Sequence, residues 1–237
     1  MSASLPPSLE AAAQPAARVV HVVAGILRNA TGDVLIAQRP EGKHHAGGWE
    51  FPGGKLEPGE TRLAALAREL HEEIGVEVDS ARPLLAVRHA YPERTILLDV
   101  WTVTRYRGSP HGAEGQTLRW CPVGALAEAG LLPADRPITT ALRLPERLVA
   151  AEAADYVVRA WHTPASRRPV LQGVSCVDAD EAVQAAAEAD FIVFARPLAP
   201  GALGALCRRV PVPLFAYGIS LEEASADGAV GVSAIGP

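Results

Sequence analysis

The chain has 237 residues, 49% of them hydrophobic, and a formal net charge of −5. That is enough apolar material for one large domain or two smaller ones, and with no basic run, duplex nucleic acid is not expected as a direct partner. No stretch approaches the roughly 18 uncharged apolar residues a membrane span needs, so no membrane partner is expected either. Cys121, Cys176 and Cys207 are odd in number and lack CxxC spacing. This argues against a disulfide frame or a zinc ribbon and suits a reducing cytoplasm. Met1 to Ala17 is rich in Ala, Pro and Ser and lacks the basic start and apolar run of a signal peptide, so it reads as a disordered tail. An acidic protein can still act on anionic nucleotides where a metal supplies the positive charge.

Arg18 to Arg28 is rich in Val and Ile and predicts a strand, Asn29 to Gly32 a turn, and Asp33 to Gln38 the returning strand. Residues 39–49 hold Pro, Gly and His and read as a loop, and Glu50 to Gly54 as a short strand ending in a glycine turn. A helix is predicted over Thr61 to Ile74. Its expected apolar stripe is Leu63, Leu66, Leu70 and Ile74, and Gly75 is its stop. Strands follow at Pro83 to His89, Thr95 to Arg105 and Leu118 to Pro122, with helical pieces near Val123 to Ala129 and Ile138 to Leu144. Beyond Pro145 the composition turns alanine-rich and strands alternate with helices. The strands are Val170 to Ser175, Phe191 to Ala195, Pro213 to Tyr217 and Ala229 to Ile235. The helices are Asp178 to Ala189, Gly201 to Arg209 and Leu221 to Ala224. Repeated βα is the pattern of a parallel sheet.

The chemistry concentrates in the predicted helix. Glu69, Glu72 and Glu73 stand at i, i+3 and i+4 and share one helical face. Like charges at that spacing repel, so a purely structural helix gains nothing from them. A hard divalent cation, which prefers oxygen ligands and substrate phosphates, turns the repulsion into binding. Arg68 can pair with a carboxylate, with Glu60 the plausible partner, and Gly53 and Gly54 let the backbone come close to a metal or phosphate.

The segment from Gly54 to Val76 resembles the Nudix box, Gly-x5-Glu-x7-Arg-Glu-(aliphatic)-x-Glu-Glu-x-Gly-(aliphatic), at every fixed position. The resemblance implies a mixed β-sheet in an α/β/α sandwich and a nucleotide pyrophosphohydrolase using Mg²⁺, with Mn²⁺ an alternative. The segments Asp33 to Arg39, Trp49 to Lys55, Tyr91 to Arg94, Glu114 to Gln116 and Leu132 to Pro137 look like the MutT subgroup, which hydrolyses 8-oxo-dGTP to the monophosphate and pyrophosphate. That likeness covers residues 18–145. It implies Glu69, Glu72, Glu73 and the Gly53 carbonyl as metal ligands, with Glu114 a further ligand or base and Arg68 in the catalytic set. It implies Arg39, Glu50, Tyr91, Arg94 and Asp135 as substrate contacts. One departure stands out, for the family has an asparagine where this chain has Asp135. An amide can donate to O6 and accept from N7–H of 8-oxoguanine. An ionised aspartate can only accept, whereas a protonated one can do both.

Val170 to Cys176, Ala189 to Phe194, Val210 to Ala216 and Asp227 to Val232 are similar to the second half of thiamine-phosphate synthase, a (βα)₈ barrel. Such a barrel needs at least ~200 residues, and only about 90 follow Pro145. Residues 146–237 therefore read as a partial (βα) half-barrel without synthase chemistry. Its sheet edges would need cover from the first domain or from a second copy, as in a homodimer. Cys176, at a strand end and without a nearby His, reads as packing. The residues leave open another nucleotide or a thiamine-pathway diphosphate as substrate, or a phosphate-ligand sensor in the half-barrel.

Overall fold

The computed structural model describes residues 18–42, 45–166 and 169–235. The tail expected at residues 1–17 lies outside the described residues. No helix among them is long and apolar enough to cross a membrane.

The first half is built on two sheets. β1 (Arg18–Ile26), β4 (Gly53–Lys55), β5 (Glu77–Ala90) and β6 (Arg94–Arg107) form a four-stranded sheet in the order β4-β1-β6-β5. β1 runs parallel to β6, and the other pairs are antiparallel. β2 (Val34–Gln38), β3 (Trp49–Glu50) and β7 (Leu118–Cys121) form a second sheet, ordered β3-β2-β7. The turn between β1 and β2 is tied by Asn29, whose Oδ1 accepts from the Thr31 and Asp33 amides at 3.0 and 2.9 Å. β5 and β6 are longer than expected and make one extended hairpin. Gly53 and Gly54 lie inside strand β4, opposite Ala24 and Val23 of β1, and not in a turn.

The helix α1 (Arg62–Ile74) begins and ends where its caps place it. Thr61 Oγ1 accepts from the Ala64 amide at 3.2 Å, and Gly75 takes the left-handed conformation at φ 68°. Leu66, Leu70 and Ile74 are fully buried against Val23, Leu27 and Leu35. Leu63 is not part of this stripe. It is 44% exposed, and Ala65 takes the inward place in the first turn. α2 (Arg136–Arg143) follows two 3₁₀ turns at Val123–Glu128 and Pro133–Asp135.

Beyond α2 a curled six-stranded parallel sheet is ordered β8-β13-β12-β11-β10-β9. Its strands are β8 (Arg147–Leu148), β9 (Tyr156–Ala160), β10 (Leu171–Cys176), β11 (Phe191–Phe194), β12 (Leu214–Tyr217) and β13 (Gly231–Ser233). The first two were not apparent from the sequence. α3 (Ala179–Ala185) and α4 (Ala202–Cys207) are shorter than predicted, α5 (Leu221–Ala226) runs two residues further, and the three cover one face with Val174, Cys176, Ile192 and Phe194. The other face carries Tyr156, Phe191 and Phe215, whose rings meet edge-on at centroid distances of 6.1 and 5.7 Å. Those aromatics belong to one continuous buried cluster with Ile26, Val34, Leu85 and Val87 of the first half and with Ile138 and Ala141 of α2.

This second unit straddles β5, the edge strand of the first sheet. The Ala86 and Arg88 amides donate to the carbonyls of Gly228 and Val210 at 2.9 and 3.3 Å. An edge strand exposes unpaired backbone groups, and here they are satisfied within the chain.

Candidate active site

A cavity of about 690 Å³ lies over the face of the first sheet formed by Val20, Val22, Ile96 and Leu98. One end reaches Gly53, Gly54, Glu69 and Glu73, and the other reaches Tyr91, Arg94 and Asp135. Arg39, Glu50 and Lys55 complete the polar wall.

At the acidic end, Glu73 Oε2 accepts from the Gly53 amide at 3.0 Å. The backbone at Gly53, with φ 149°, tolerates no side chain, because a Cβ would stand 2.1 Å from the Val23 carbonyl oxygen. Burial, together with the carboxylates of Glu50, Glu69 and Glu114, pushes the Glu73 carboxyl up to about 7, against the pull of the Gly53 amide. Arg68 is the organiser of this end. It donates to Glu60 through Nε and Nη2, both at 3.0 Å, to Glu69 at 2.9 Å, to Glu72 at 3.3 Å and to the Lys55 carbonyl at 3.0 Å. The Arg68–Glu60 pairing matches the sequence expectation, and Arg68 itself stands outside the cavity wall.

Glu72 and Glu114 also stand outside that wall. Glu72 is 54% exposed on its side chain. Glu114 lies on a loop stapled to the end of α1, where the Ala113 amide and Gln116 Nε2 donate to the Glu73 carbonyl at 2.9 and 2.6 Å. Among the described residues no three acidic, His or Cys groups converge in ligating geometry. The side chains explain this, since Glu69 and Glu72 turn to Arg68 while Glu73 turns to Gly53. The donor set still fits a hard divalent cation, because a buried carboxyl facing three other carboxylates is raised until a cation offsets the repulsion.

At the far end, Asp135 is buried at 6% exposure on the cavity wall. Burial and the Glu50 carboxylate raise it well above the ordinary range, and Arg39 opposes this. Tyr91 stacks edge-on against His89 at 4.5 Å, with the Arg94 guanidinium 5.9 Å from its ring centre. Arg39 is paired with Glu50. Sequence reasoning gave no role to Lys55, His45 or the apolar floor, all of which line the cavity. Lys55 was legible as the cation following the glycine pair. Cys176 is fully buried, with its thiol pushed up to about 12 by burial first, and is packing rather than a nucleophile.

Two tests follow from this geometry. A Cβ on Gly54 would lie 2.1 Å from Glu69 Oε2, the end of a flexible side chain. Gly54→Ala should therefore fold normally and displace the Glu69 carboxylate, with about a 10–100-fold loss of turnover, the range seen when supports of metal ligands are removed. Steady-state kinetics beside a circular dichroism melt checks this. The second concerns metal-free protein. Glu73 ionises near 4.5 when unfolded and near 7 when folded, so its contribution to stability is present at low pH and lost as pH rises through about 7. The stability of wild type relative to Glu73→Gln should fall between about pH 4.5 and 7, by about 3 kcal/mol at most, and stay level above that. Urea melts in EDTA measure the difference, and a flat difference contradicts the assignment.

Comparison with known proteins gives the family. The NUDIX domain family matches residues 23–141. The 8-oxo-dGTP diphosphatase of Escherichia coli (strain K12) is 36% identical over 124 residues, 52% of this chain and 96% of that protein. The CTP pyrophosphohydrolase of the same organism is 38% identical over 138 residues, 58% of this chain and 99% of that protein. The 8-oxo-dGTP diphosphatase of Proteus vulgaris is 43% identical over 107 residues, 45% of this chain and 92% of that protein. The curled sheet of the second half fits the thiamine-phosphate-synthase likeness only loosely. With half its length matched, its relatives spanned almost whole and the glutamate helix on the cavity wall, the chain belongs to the NUDIX domain family, as a Nudix pyrophosphohydrolase.

Proposed function

We propose that this protein hydrolyses a nucleoside triphosphate to the monophosphate and pyrophosphate with Mg²⁺, and that its substrate is 8-oxo-dGTP. The observation that carries the reading is the two-ended cavity, with carboxylates for metal and phosphates at one end and a buried Asp135 carboxyl at the other. Glu69, Glu72, Glu73, the Gly53 carbonyl and Glu114 would hold the cation. A bound divalent ion there supplies charge neutralisation of phosphate oxygens and a water of lowered pKa. Arg39 and Lys55 offset phosphate charge along the wall, Arg94 and Tyr91 line the nucleoside end, and the apolar floor excludes water from the base. Burial favours the protonated form of Asp135, and in that form it would present a hydroxyl that donates to O6 and a carbonyl that accepts from N7–H of 8-oxoguanine, the pattern an asparagine amide offers.

A second reading has a specific observation behind it. Cytosine also sets an acceptor, N3, beside a donor, its exocyclic amine, which a neutral carboxyl can read and an ionised one can partly read. The CTP pyrophosphohydrolase relative makes this the competing substrate class. Pyrophosphate release across 8-oxo-dGTP, dGTP, CTP, dCTP, ADP-ribose and thiamine diphosphate decides between them. A preference for 8-oxo-dGTP over CTP in kcat/KM supports the first reading. The reverse order assigns the cytosine class.

A further inference from the structure

The contact between the two halves contains a charged cluster that the proposed chemistry does not use. Asp99 on β6 is 6% exposed, opposite Val23 of β1 on one side and Ala86 of β5 on the other. Its Oδ2 accepts from Arg62 Nε at 3.1 Å. Arg62 is the first residue of α1, one turn and a half before Arg68 and Glu69. Asp99 shares the lining of a cavity of about 140 Å³ with Arg208 at the end of α4 and Asp227 at the end of α5. Burial raises the Asp99 carboxyl, while Arg62, Arg208 and His21 pull it down. Arg208 is itself held, donating to the Gly204 carbonyl at 2.7 Å. The Gly228 carbonyl beside this cluster accepts from Ala86, directly across from Asp99.

A buried aspartate between two arginines, one from each half, is a costly arrangement unless both cations stay in place. Removing one leaves the charge under-compensated and frees the element that carried the other. We propose that Asp99 and Arg208 are positioning residues: through Arg62 they fasten the first turn of α1 to the C-terminal unit and so set where Glu69 and Glu73 stand on the cavity wall. The second half then serves the reaction without contacting the substrate, and it accounts for a buried aspartate paired with the half-exposed arginine at the start of the glutamate helix. The inference rests on the glutamate helix being the reactive site.

The test uses full-length protein and two readouts. In metal-free Arg208→Gln, amide hydrogen exchange over residues 62–66 should accelerate about tenfold, with β2 and β7 unchanged. With 8-oxo-dGTP, or CTP if that is the substrate, kcat should fall about 5–10-fold, and half-activating Mg²⁺ should rise by a similar factor, with KM within about twofold. Arg208→Lys, which keeps the charge, should recover most of both. If Arg208→Gln does not fold, Arg62→Gln tests the same link from the catalytic side. Unchanged exchange over residues 62–66 and unchanged kcat, with only a lower Tm, would overturn the proposal. Should the wild type turn over no nucleotide, the functional reading fails, and the exchange experiment alone still decides the link.

Discussion

Glu73→Gln should lower kcat by about 10³-fold or more while the protein stays folded, a loss of ~4 kcal/mol in transition-state stabilisation. Glu73 faces the acidic end of the cavity with its carboxyl on the Gly53 amide. Glutamine keeps its shape and its acceptor for that amide, so the fold has no reason to fail, but it cannot be a charged ligand. The neutral side chain also removes the repulsion with Glu50, Glu69 and Glu114, and metal-free Glu73→Gln should be at least as stable as wild type at pH 8. Single-turnover kinetics with saturating Mg²⁺, beside a thermal melt, measures both. Turnover within tenfold of wild type would remove Glu73 from the chemistry.

The second large effect is expected at Asp135. If its protonated carboxyl reads the base, kcat/KM for the preferred nucleotide should decline at alkaline pH as Asp135 ionises and loses its donor. The direction follows from burial and Glu50, both of which raise the carboxyl. Asp135→Asn supplies the same donor and acceptor at every pH, and it should abolish the alkaline decline while retaining activity. Asp135→Ala should lose about 10²-fold or more in kcat/KM, because a base edge then enters a buried site without its partner. The effect should sit in discrimination between bases, with little change in metal dependence. A pH profile of kcat/KM for the three proteins gives the answer. Wild-type and Asn profiles of the same shape would show that the carboxyl is read in one ionisation state throughout.

Much of the site was legible because it is local. The spacing of Glu69, Glu72 and Glu73, the Gly75 stop and the Arg68–Glu60 pairing all lie within one short segment, where helical geometry fixes neighbours. The same logic failed at Leu63, where the periodic position falls on the exposed side and Ala65 packs instead. It also misread Gly53 and Gly54 as a turn. Their lack of side chains is used inside a strand, where Glu73 and Glu69 press against the backbone. Glu72 stands outside the cavity wall with its carboxylate taken by Arg68, a competition that spacing does not encode.

Long-range pairings were the least readable. β8 is two residues long and pairs with β13, some eighty positions later in the chain, so no local pattern marks it. β9 follows an alanine-rich stretch, and its strand signal is the short run Tyr156, Val157 and Val158. The sheet edge of the second half suggested a need for cover, but the structure shows the cover running the other way at β5, where Gly228 and Val210 satisfy Ala86 and Arg88. The Arg62–Asp99–Arg208 cluster draws on three distant segments and has no sequence signature at all.

The central claim, a base-reading carboxyl facing a pyrophosphohydrolase site, is tested most directly by analysing the products of 8-oxo-dGTP and dGTP with full-length protein and Mg²⁺. Monophosphate and pyrophosphate are expected, with kcat/KM for 8-oxo-dGTP about 10²-fold or more above dGTP, a margin set by the donor and acceptor at Asp135. Release of inorganic phosphate instead of pyrophosphate, or equal turnover of the two nucleotides, would contradict it.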